Sequence, residues 1–193
     1  MKLQYPKIRV QAKRLGAQIF FANEASVRSD HHSGTTWAPI GKTPVLDTTG
    51  ARFKLNLLSA ISPRGELRFM TTEKKLSATL FIEFLQRLLH NQRLPIFLIV
   101  DGHPVHRSGA VKRFVSATEG RLRLFQLPPY APELNPDELV WNHVKTHKVG
   151  KLAIDGPSQF KSRIIGFLRA LQKTPALVCA LFQHPTVRYA AVS

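Results

Sequence analysis

The sequence predicts an α/β protein in which helices flank a mixed β-sheet, and three observations support this. Residues 53–57 and 66–69 alternate apolar with polar side chains on either side of a Pro-Gly turn, the period of an antiparallel hairpin. Ile96–Val100 is wholly apolar, which is typical of a central strand covered on both faces. Residues 77–91 and 158–173 place apolar side chains at helical spacing. A hairpin combined with crossover helices indicates a mixed sheet.

The N-terminal part contains one further strand. Residues 1–16 hold five basic side chains and no acid, and they predict a basic linker or the remnant of a preceding domain. We therefore expect the main domain, with its C-terminal helices, to cover residues 17–193. Residues 18–22 read as its first, buried strand. Residues 25–44 are rich in Ser, Gly, Thr, His and Pro and predict a loop.

The second half of the chain supplies the remaining elements. A weak helical pattern over 107–118 leads to a fifth strand over 121–127. Four prolines make residues 127–136 a stiff, extended connector, and a helix follows from Pro136. Thr174 and Pro175 predict the cap and first residue of a last short helix. The order is three strands, helix, strand, helix, strand, then helices, which gives a five-stranded sheet.

The charge balance favours a polyanionic partner. The chain has 28 Lys and Arg against 12 Asp and Glu, a net charge of +16. Such an excess suits the phosphate backbone of nucleic acid, although a ribosomal-type or merely solubilising surface would have the same sign. A single cysteine, Cys179, excludes an internal disulfide and a Cys-rich zinc site. No apolar run is long enough to cross a bilayer, so we expect no membrane partner and a cytoplasmic protein.

Acidic residues are few, and three groups of them lie where elements end or begin. These are Asn23-Glu24 after the first strand, Asp101 after the fourth strand, and Asp137-Glu138 at a helix start. Two-metal phosphoryl transfer needs carboxylates from separate elements to converge on hard cations. Each position also has a structural explanation, because Asp-Gly opens turns and acids in a first helical turn cap free amides.

Four segments together resemble the DDE transposases of the mariner-like superfamily, especially the bacterial insertion-sequence enzymes. They are IFFANEASVRSD at 19–30, TTWAPIGKTP at 35–44, LIVDGHPVH at 98–106 and LPPYAPELNPDELVWNHVK at 127–145. The resemblance is close over residues 17–150. It implies a ribonuclease-H-like fold in which the first and fourth strands are neighbours.

The resemblance also implies a chemistry. Asp101 and Glu138 match the family's second and third acids, which hold Mg²⁺ or Mn²⁺. Enzymes of this type use a metal-activated water to hydrolyse DNA at the element's end, and the freed 3′ hydroxyl then attacks target DNA. The implied partners are transposon ends, target DNA and a second copy of the chain. An N-terminal helix-turn-helix region that reads the ends is expected to be separate or missing here.

Position 23 departs from the family pattern, because Asn23 stands where the first Asp is expected. An amide carbonyl can contact a cation but brings no negative charge. Glu24 is not a simple substitute, because neighbouring strand residues point to opposite faces. We therefore expect Asn23 to impair metal binding and catalysis. The alternatives are a catalytically inactive DNA-binding fragment that acts as a regulator, or a ribonuclease-H-like nuclease without strand transfer.

The resemblance further predicts residues that contact DNA. His106 matches a family histidine near the second acid, and Lys145 follows Glu138 by seven residues on roughly the same helix face. The predicted DNA contacts are Lys145, His106, Arg28 and Trp37.

Overall fold

The computed structural model describes residues 4–29, 53–144 and 156–191. Within these ranges five strands form one sheet with the order β3-β2-β1-β4-β5. The strands are β1 (Gln18–Arg28), β2 (Lys54–Ile61), β3 (Leu67–Thr72), β4 (Ile96–Val100) and β5 (Leu122–Gln126). The helices are α1 (Tyr5–Leu15), α2 (Ala78–Leu89), α3 (Gly109–Ala117), α4 (Pro136–Val144), α5 (Pro157–Gln172) and α6 (Pro175–Leu181).

The pairing of the strands is mixed, as the sequence predicts. Strand β2 pairs antiparallel with both β1 and β3. Strand β4 pairs parallel with β1 on one side and with β5 on the other. The first and fourth strands are therefore neighbours, and the carboxyl ends of β4 and β5 lie at one edge of the sheet.

The β2–β3 turn has the geometry that its Pro and Gly predict. The Gly65 N–H donates to the Ser62 carbonyl over 3.0 Å, and Gly65 has a φ of +91°, which favours glycine. A Cβ at position 65 would lie 2.7 Å from the Cβ of Pro175, the first residue of α6. The turn thus needs glycine both for its conformation and for the close approach of α6.

Strand β1 is longer than the sequence predicts. It continues to Arg28, so residues 25–28, which were expected to lie in a loop, are extended. The reason is the hairpin partner, since β2 pairs with β1 from Phe21 through Arg28. The parallel pairing with β4 ends earlier, at Phe21. Asn23 therefore lies within a strand but beyond its last contact with β4.

The linker expected over residues 1–16 is wrong for Tyr5–Leu15, which forms helix α1 and packs on the sheet. Tyr5, Ile8 and Ala12 are buried. The Tyr5 ring lies 5.8 Å from that of Phe21 on β1, centroid to centroid. Only three apolar side chains face inward between exposed basic ones, which leaves a weak sequence signal. Gly16 ends the helix with a φ of +63°.

The sheet separates two apolar clusters. One face of β1, including Phe20, packs with α2 and α3, and the other face, including Phe21, packs with α1, α4, α5 and α6. Trp141 of α4 is fully buried on the face that contains Phe21.

None of the described helices can cross a bilayer by itself. Helices α5 and α6 reach the required length and composition only when taken together, and there is a bend of 89° between them.

Candidate functional site

A cavity of about 410 Å³ opens where the parallel strands end, and the three predicted site residues line it. Asn23 reaches it from β1, Asp101 from the end of β4 and Glu138 from the first turn of α4. Arg107 and the proline-rich connector at 127–132 line it as well. The carboxyl edge of parallel strands is where open α/β sheets bind ligands. Three positions far apart in the chain thus share one pocket.

Asp101 is held by the backbone and by a histidine. Its Oδ1 accepts the His103 backbone N–H over 2.9 Å and lies 3.0 Å from Nδ1 of His106. Burial would raise the pKa of Asp101, but the hydrogen bonds from His106 and His103 more than offset this and lower it overall. The carboxylate is therefore ionised and has a fixed orientation.

His106 lies between two carboxylates. Its Nδ1 faces Asp101, and its Nε2 lies 3.5 Å from Oε2 of Glu24. Burial would lower the pKa of His106, but the hydrogen bonds to Asp101 and Glu24 prevail and raise it to about 9. The side chain is only 3% exposed, and its ring packs on Phe81. The ring is buried and its nitrogens face the protein's own acids, whereas a contact of His106 with DNA stays a prediction.

Glu24 was predicted not to replace Asn23, and the two residues do line different cavities. The Glu24 carboxylate instead contacts His106, and it lies 3.8 Å from Nε2 of His103. The Glu24 charge therefore lies next to Nε2 of the His106 ring, whereas Asp101 lies next to Nδ1. Sequence reasoning missed this contact, because nothing in the spacing of Glu24 and His106 indicates that they meet.

The start of α4 is fastened to β1 next to position 23. The Asn135 side chain donates to the Ala22 carbonyl over 3.0 Å, and its Oδ1 accepts the Asp137 N–H over 3.1 Å. Asn135 thus caps the helix and also fixes it to the strand. Glu138, which follows Asp137 in the first turn of α4, lines the cavity.

Asp137 is the residue that the sequence reading missed. The sequence placed it with Glu138 at a helix start without separating the two, and in the structure it is fully buried. Its Oδ2 accepts the Ser59 hydroxyl, and the Asn23 backbone N–H interacts with the same carboxyl group. Burial raises the pKa of Asp137 well above its usual range, and the Ser59 hydrogen bond opposes this only in part. Four buried side-chain atoms have no hydrogen-bond partner within the described ranges, and Asn23 Nδ2 and Asp137 Oδ1 are two of them.

The family model described as "DDE superfamily endonuclease" matches residues 18–156. The chain belongs to the DDE superfamily of endonucleases. The match includes Asn23, Asp101 and Glu138, and it confirms the resemblance predicted from the four sequence segments. No curated protein matches the chain significantly.

Solved structures show the fold of this DDE domain. The catalytic domain of Mos1 mariner transposase is 11% identical, with a TM-score of 0.59; the comparison covers 100% of this chain and 93% of that one. The Mos1 mariner paired end complex with Mn is 13% identical, with a TM-score of 0.64, and covers 100% of this chain. This DDE domain spans only 62% of the Mos1 chain in that complex. The fold is ribonuclease-H-like, as predicted.

The cavity of the DDE domain is lined by oxygen-bearing side chains of the kind that bind hard cations. Asp101 and Glu138 supply carboxylates and Asn23 an amide carbonyl, and Mg²⁺ is held in proteins by as few as one or two carboxylates. No group of three His, Cys, Asp or Glu side chains within residues 4–29, 53–144 and 156–191 could hold a metal ion. The unpartnered Nδ2 of Asn23 marks where an Asp would present a second oxygen. With an amide at position 23, the cavity has one acid fewer than the three that the resemblance implies.

The other predicted DNA contacts lie elsewhere or cannot be placed. Arg28 is exposed at the end of β1 and does not line the cavity. Trp37 and Lys145 lie outside the described residues. Arg107, which the sequence reading did not single out, is exposed at the cavity and donates to the Gly102 carbonyl over 3.2 Å. Among the described residues that line the cavity, Arg107 is the one Lys or Arg side chain.

Proposed function

We propose that this chain is the catalytic domain of a transposase that cuts and joins DNA, with an activity that Asn23 weakens. The observation that supports it best is that Asn23, Asp101 and Glu138, 115 positions apart at the extremes (138 − 23), line one cavity at the carboxyl edge of the sheet. Family membership supplies the reaction class, and the DNA-cutting reaction of a DDE endonuclease needs such a convergence.

The proposed cofactor is Mg²⁺ or Mn²⁺, held by Asp101 and Glu138 with the Asn23 carbonyl as a weaker third ligand. The cation would polarise the scissile phosphate and lower the pKa of an attacking water. Crystal structures of Mos1 complexes with Mg and with Mn support this choice. An amide at position 23 reduces the negative charge that holds the cation, so affinity for divalent metal should be low.

The chain's own residues prepare the site. His106 holds Oδ1 of Asp101, so the carboxylate does not have to be ordered when DNA binds. Arg107 is placed at the cavity to neutralise a backbone phosphate. We propose hydrolysis at the end of the element, followed by in-line attack of the freed 3′ hydroxyl on target DNA, without a covalent protein intermediate.

The proposed partners are two DNA segments and a second copy of the chain. The net charge of +16 favours duplex DNA. The similar Mos1 structures include a strand transfer complex and a paired-end complex with the left transposon end. Recognition of the ends would need a helix-turn-helix region beyond the part that resembles this chain. Insertion-sequence origin, and a cytoplasmic location at the bacterial nucleoid, belong to the same proposal.

Asn23 also favours a second candidate function, that of an inactive DNA-binding protein. With a neutral residue at position 23 the fold and basic surface would be retained while turnover is lost. Such a protein would occupy transposon ends or enter multimers with active copies. The two candidates differ in whether restoring the carboxylate restores catalysis.

The deciding experiment is Mn²⁺-dependent nicking of supercoiled DNA by the Asn23→Asp variant. Loss of even an indirect metal partner typically costs 10–100-fold, so we expect nicking to rise by about tenfold or more. The matched control is Asn91→Asp, the same change at an exposed position, which should leave nicking unchanged. Asp101→Ala in the Asn23→Asp protein should abolish the gain. If Asn23→Asp stays as inert as the parent and still binds DNA, the inactive DNA-binding protein becomes the better description.

A further inference from the structure

We propose that Tyr130 stacks its ring on an unpaired base of the DNA strand that enters the cavity. The inference rests on the proposed function, because it takes the occupant of the cavity to be DNA. It goes further by adding a contact to a base. It also states the preferred form of the substrate, a duplex with an unpaired nucleotide next to the phosphates that reach Asp101 and Glu138.

The first support is the exposure of the Tyr130 side chain at the cavity. Its exposed fraction is 102%, and the next most exposed large apolar side chain within the described ranges, Val10, has 70%. Among the described residues that line the cavity with Asp101 and Glu138, Tyr130 is the one Phe, Tyr or Trp. An aromatic ring in water gains free energy when a partner covers its apolar face. The ring is therefore free to make such a contact close to the carboxylates.

The second support is the backbone at Tyr130, which is left-handed with a φ of +55°. In the described part of the chain two other non-glycine residues share this conformation, Asn91 and Glu119. Each lies one residue after the cap that ends a helix, α2 or α3, where a left-handed residue is usual. Tyr130 instead lies between Gln126, which ends β5, and the short turn that begins at Pro132. Such a conformation in a bulky residue, with no helix end to account for it, is the kind of strain found at functional sites.

The third support is that the connector is fixed on both sides of Tyr130. Before it, the Leu127 backbone N–H donates to the Val100 carbonyl over 2.8 Å, at the end of β4. After it, the Asn135 backbone N–H donates to the Pro132 carbonyl over 2.9 Å. The prolines in between fix their own φ angles. Little backbone entropy is then lost on binding, and a tyrosine ring has only two side-chain torsions to order.

The chemistry around the ring identifies a nucleobase as its partner. Arg107 lines the same cavity and suits a phosphate, and the net charge of +16 attracts the DNA backbone. A ring held beside that backbone meets the bases attached to it. Every base has a π face that stacks on an aromatic ring, but within a paired duplex both faces are covered by neighbouring bases. The Tyr130 ring therefore fits a base that is unpaired.

The test compares two DNA probes that differ in one base. Each is a labelled hairpin whose open end carries a single unpaired nucleotide; in one probe this nucleotide is adenine, and in the other it is abasic, with the same phosphate. Affinity is measured by fluorescence anisotropy in chelator, so that no metal ion contributes. We expect the parent protein to bind the adenine probe about fivefold or more tightly than the abasic probe, the lower end of what one stacked base contributes.

Three substitutions separate the ring from the rest of the residue. Tyr130→Phe keeps the aromatic face and should keep the preference for adenine, whereas Tyr130→Gly should abolish it. Because glycine adopts a positive φ without strain, Tyr130→Gly should unfold in urea at no lower a midpoint than the parent. The matched control is Asn91→Gly, the same backbone change at an exposed residue with a φ of +59°, and it should leave the preference unchanged.

A second ringless variant covers the case in which Tyr130→Gly does not fold. Tyr130→Asn suits the left-handed conformation and should also lose the preference. If a folded ringless variant keeps the full preference for adenine, the inference is refuted. It is refuted as well if the parent binds both probes equally, or if Tyr130→Phe loses the preference, since the hydroxyl rather than the ring would then be responsible.

These outcomes are separate from those of the proposed function. If the preference for adenine depends on Tyr130 while Asn23→Asp does not nick DNA, the stacking contact holds and the catalytic proposal fails. If Asn23→Asp nicks DNA while no preference depends on Tyr130, the proposed function holds and the inference is wrong.

Discussion

His106 joins the carboxylate of Glu24 on β1 to that of Asp101, the residue that follows β4. Its ring nitrogens lie 3.0 Å from Asp101 and 3.5 Å from Glu24. The neighbouring acids raise the pKa of this buried imidazole to about 9, so the ring is cationic at neutral pH. Removing a cation from between two partly buried acids leaves both without their partner, which usually costs more than the bond itself contributes. His106 should therefore stabilise the fold as well as orient Asp101.

Replacing His106 tests this role. We expect His106→Ala to lower the free energy of unfolding by about 1–3 kcal/mol, since hydrogen bonds to charged groups are lost. The measurement is urea unfolding at pH 7 in chelator. His90 is exposed at the end of α2, and His90→Ala should change stability by less than about 0.5 kcal/mol. Equal, small effects of both changes would show that the His106 contacts contribute nothing to stability.

At the residue scale, the sequence could predict Asp101 and Glu138 but not the residues that hold them. Asp101 ends an apolar strand and Glu138 starts a helix, so their places follow from local patterns. Asp137 has the same local pattern as Glu138, and only the tertiary fold buries one and turns the other to the cavity. His106 was predicted beside the site, but its burial depends on α2, whose Phe81 covers the ring.

At the scale of elements, strong periodic patterns predicted the structure well and weak ones did not. The hairpin, β4 and α5 lie within a few residues of their predicted ranges, because apolar runs and alternation specify them locally. The end of β1 could not be predicted, since residues 25–28 extend only by pairing with β2. Helix α1 could not be predicted either, because only three of its side chains are buried.

The packing of α1 leads to a prediction about its anchor. Tyr5 is buried, and its hydroxyl donates to the Ala190 carbonyl over 3.3 Å, which ties the start of the fold to its end. Tyr5→Ala would leave a cavity against Phe21 and should lower the free energy of unfolding by about 3 kcal/mol. Val10 on the same helix is 70% exposed, so Val10→Ala should have almost no effect. Urea unfolding measures both. Equal stabilities of the two variants would mean that the burial of Tyr5 contributes little to the stability of the fold.

At the scale of the whole molecule, the distribution of charge around the sheet decides where DNA can bind. Composition alone predicted a basic protein but not which surface meets the phosphates. Arg107 and Arg121 are both exposed, and each donates to a backbone carbonyl over 3.2 Å. Arg107 lines the cavity with Asp101, where the parallel strands end. Arg121 lies just before β5, where the parallel strands begin. They form a matched pair that differs mainly in position.

If DNA lies across the cavity, Arg107 is the member of this pair that can neutralise a phosphate of the bound duplex. Arg107→Ala should then weaken binding of a short duplex and reduce the slope of log affinity against log salt by about 0.9, the value for one lost phosphate contact. Arg121→Ala should leave both the affinity and the slope unchanged. Fluorescence anisotropy of a labelled duplex, titrated at several salt concentrations without divalent metal, measures the two quantities. If Arg121→Ala reduces the slope and Arg107→Ala does not, the duplex lies at the end of the sheet where β5 begins. That position is away from Asp101 and Glu138 and would contradict their proposed role in cutting DNA.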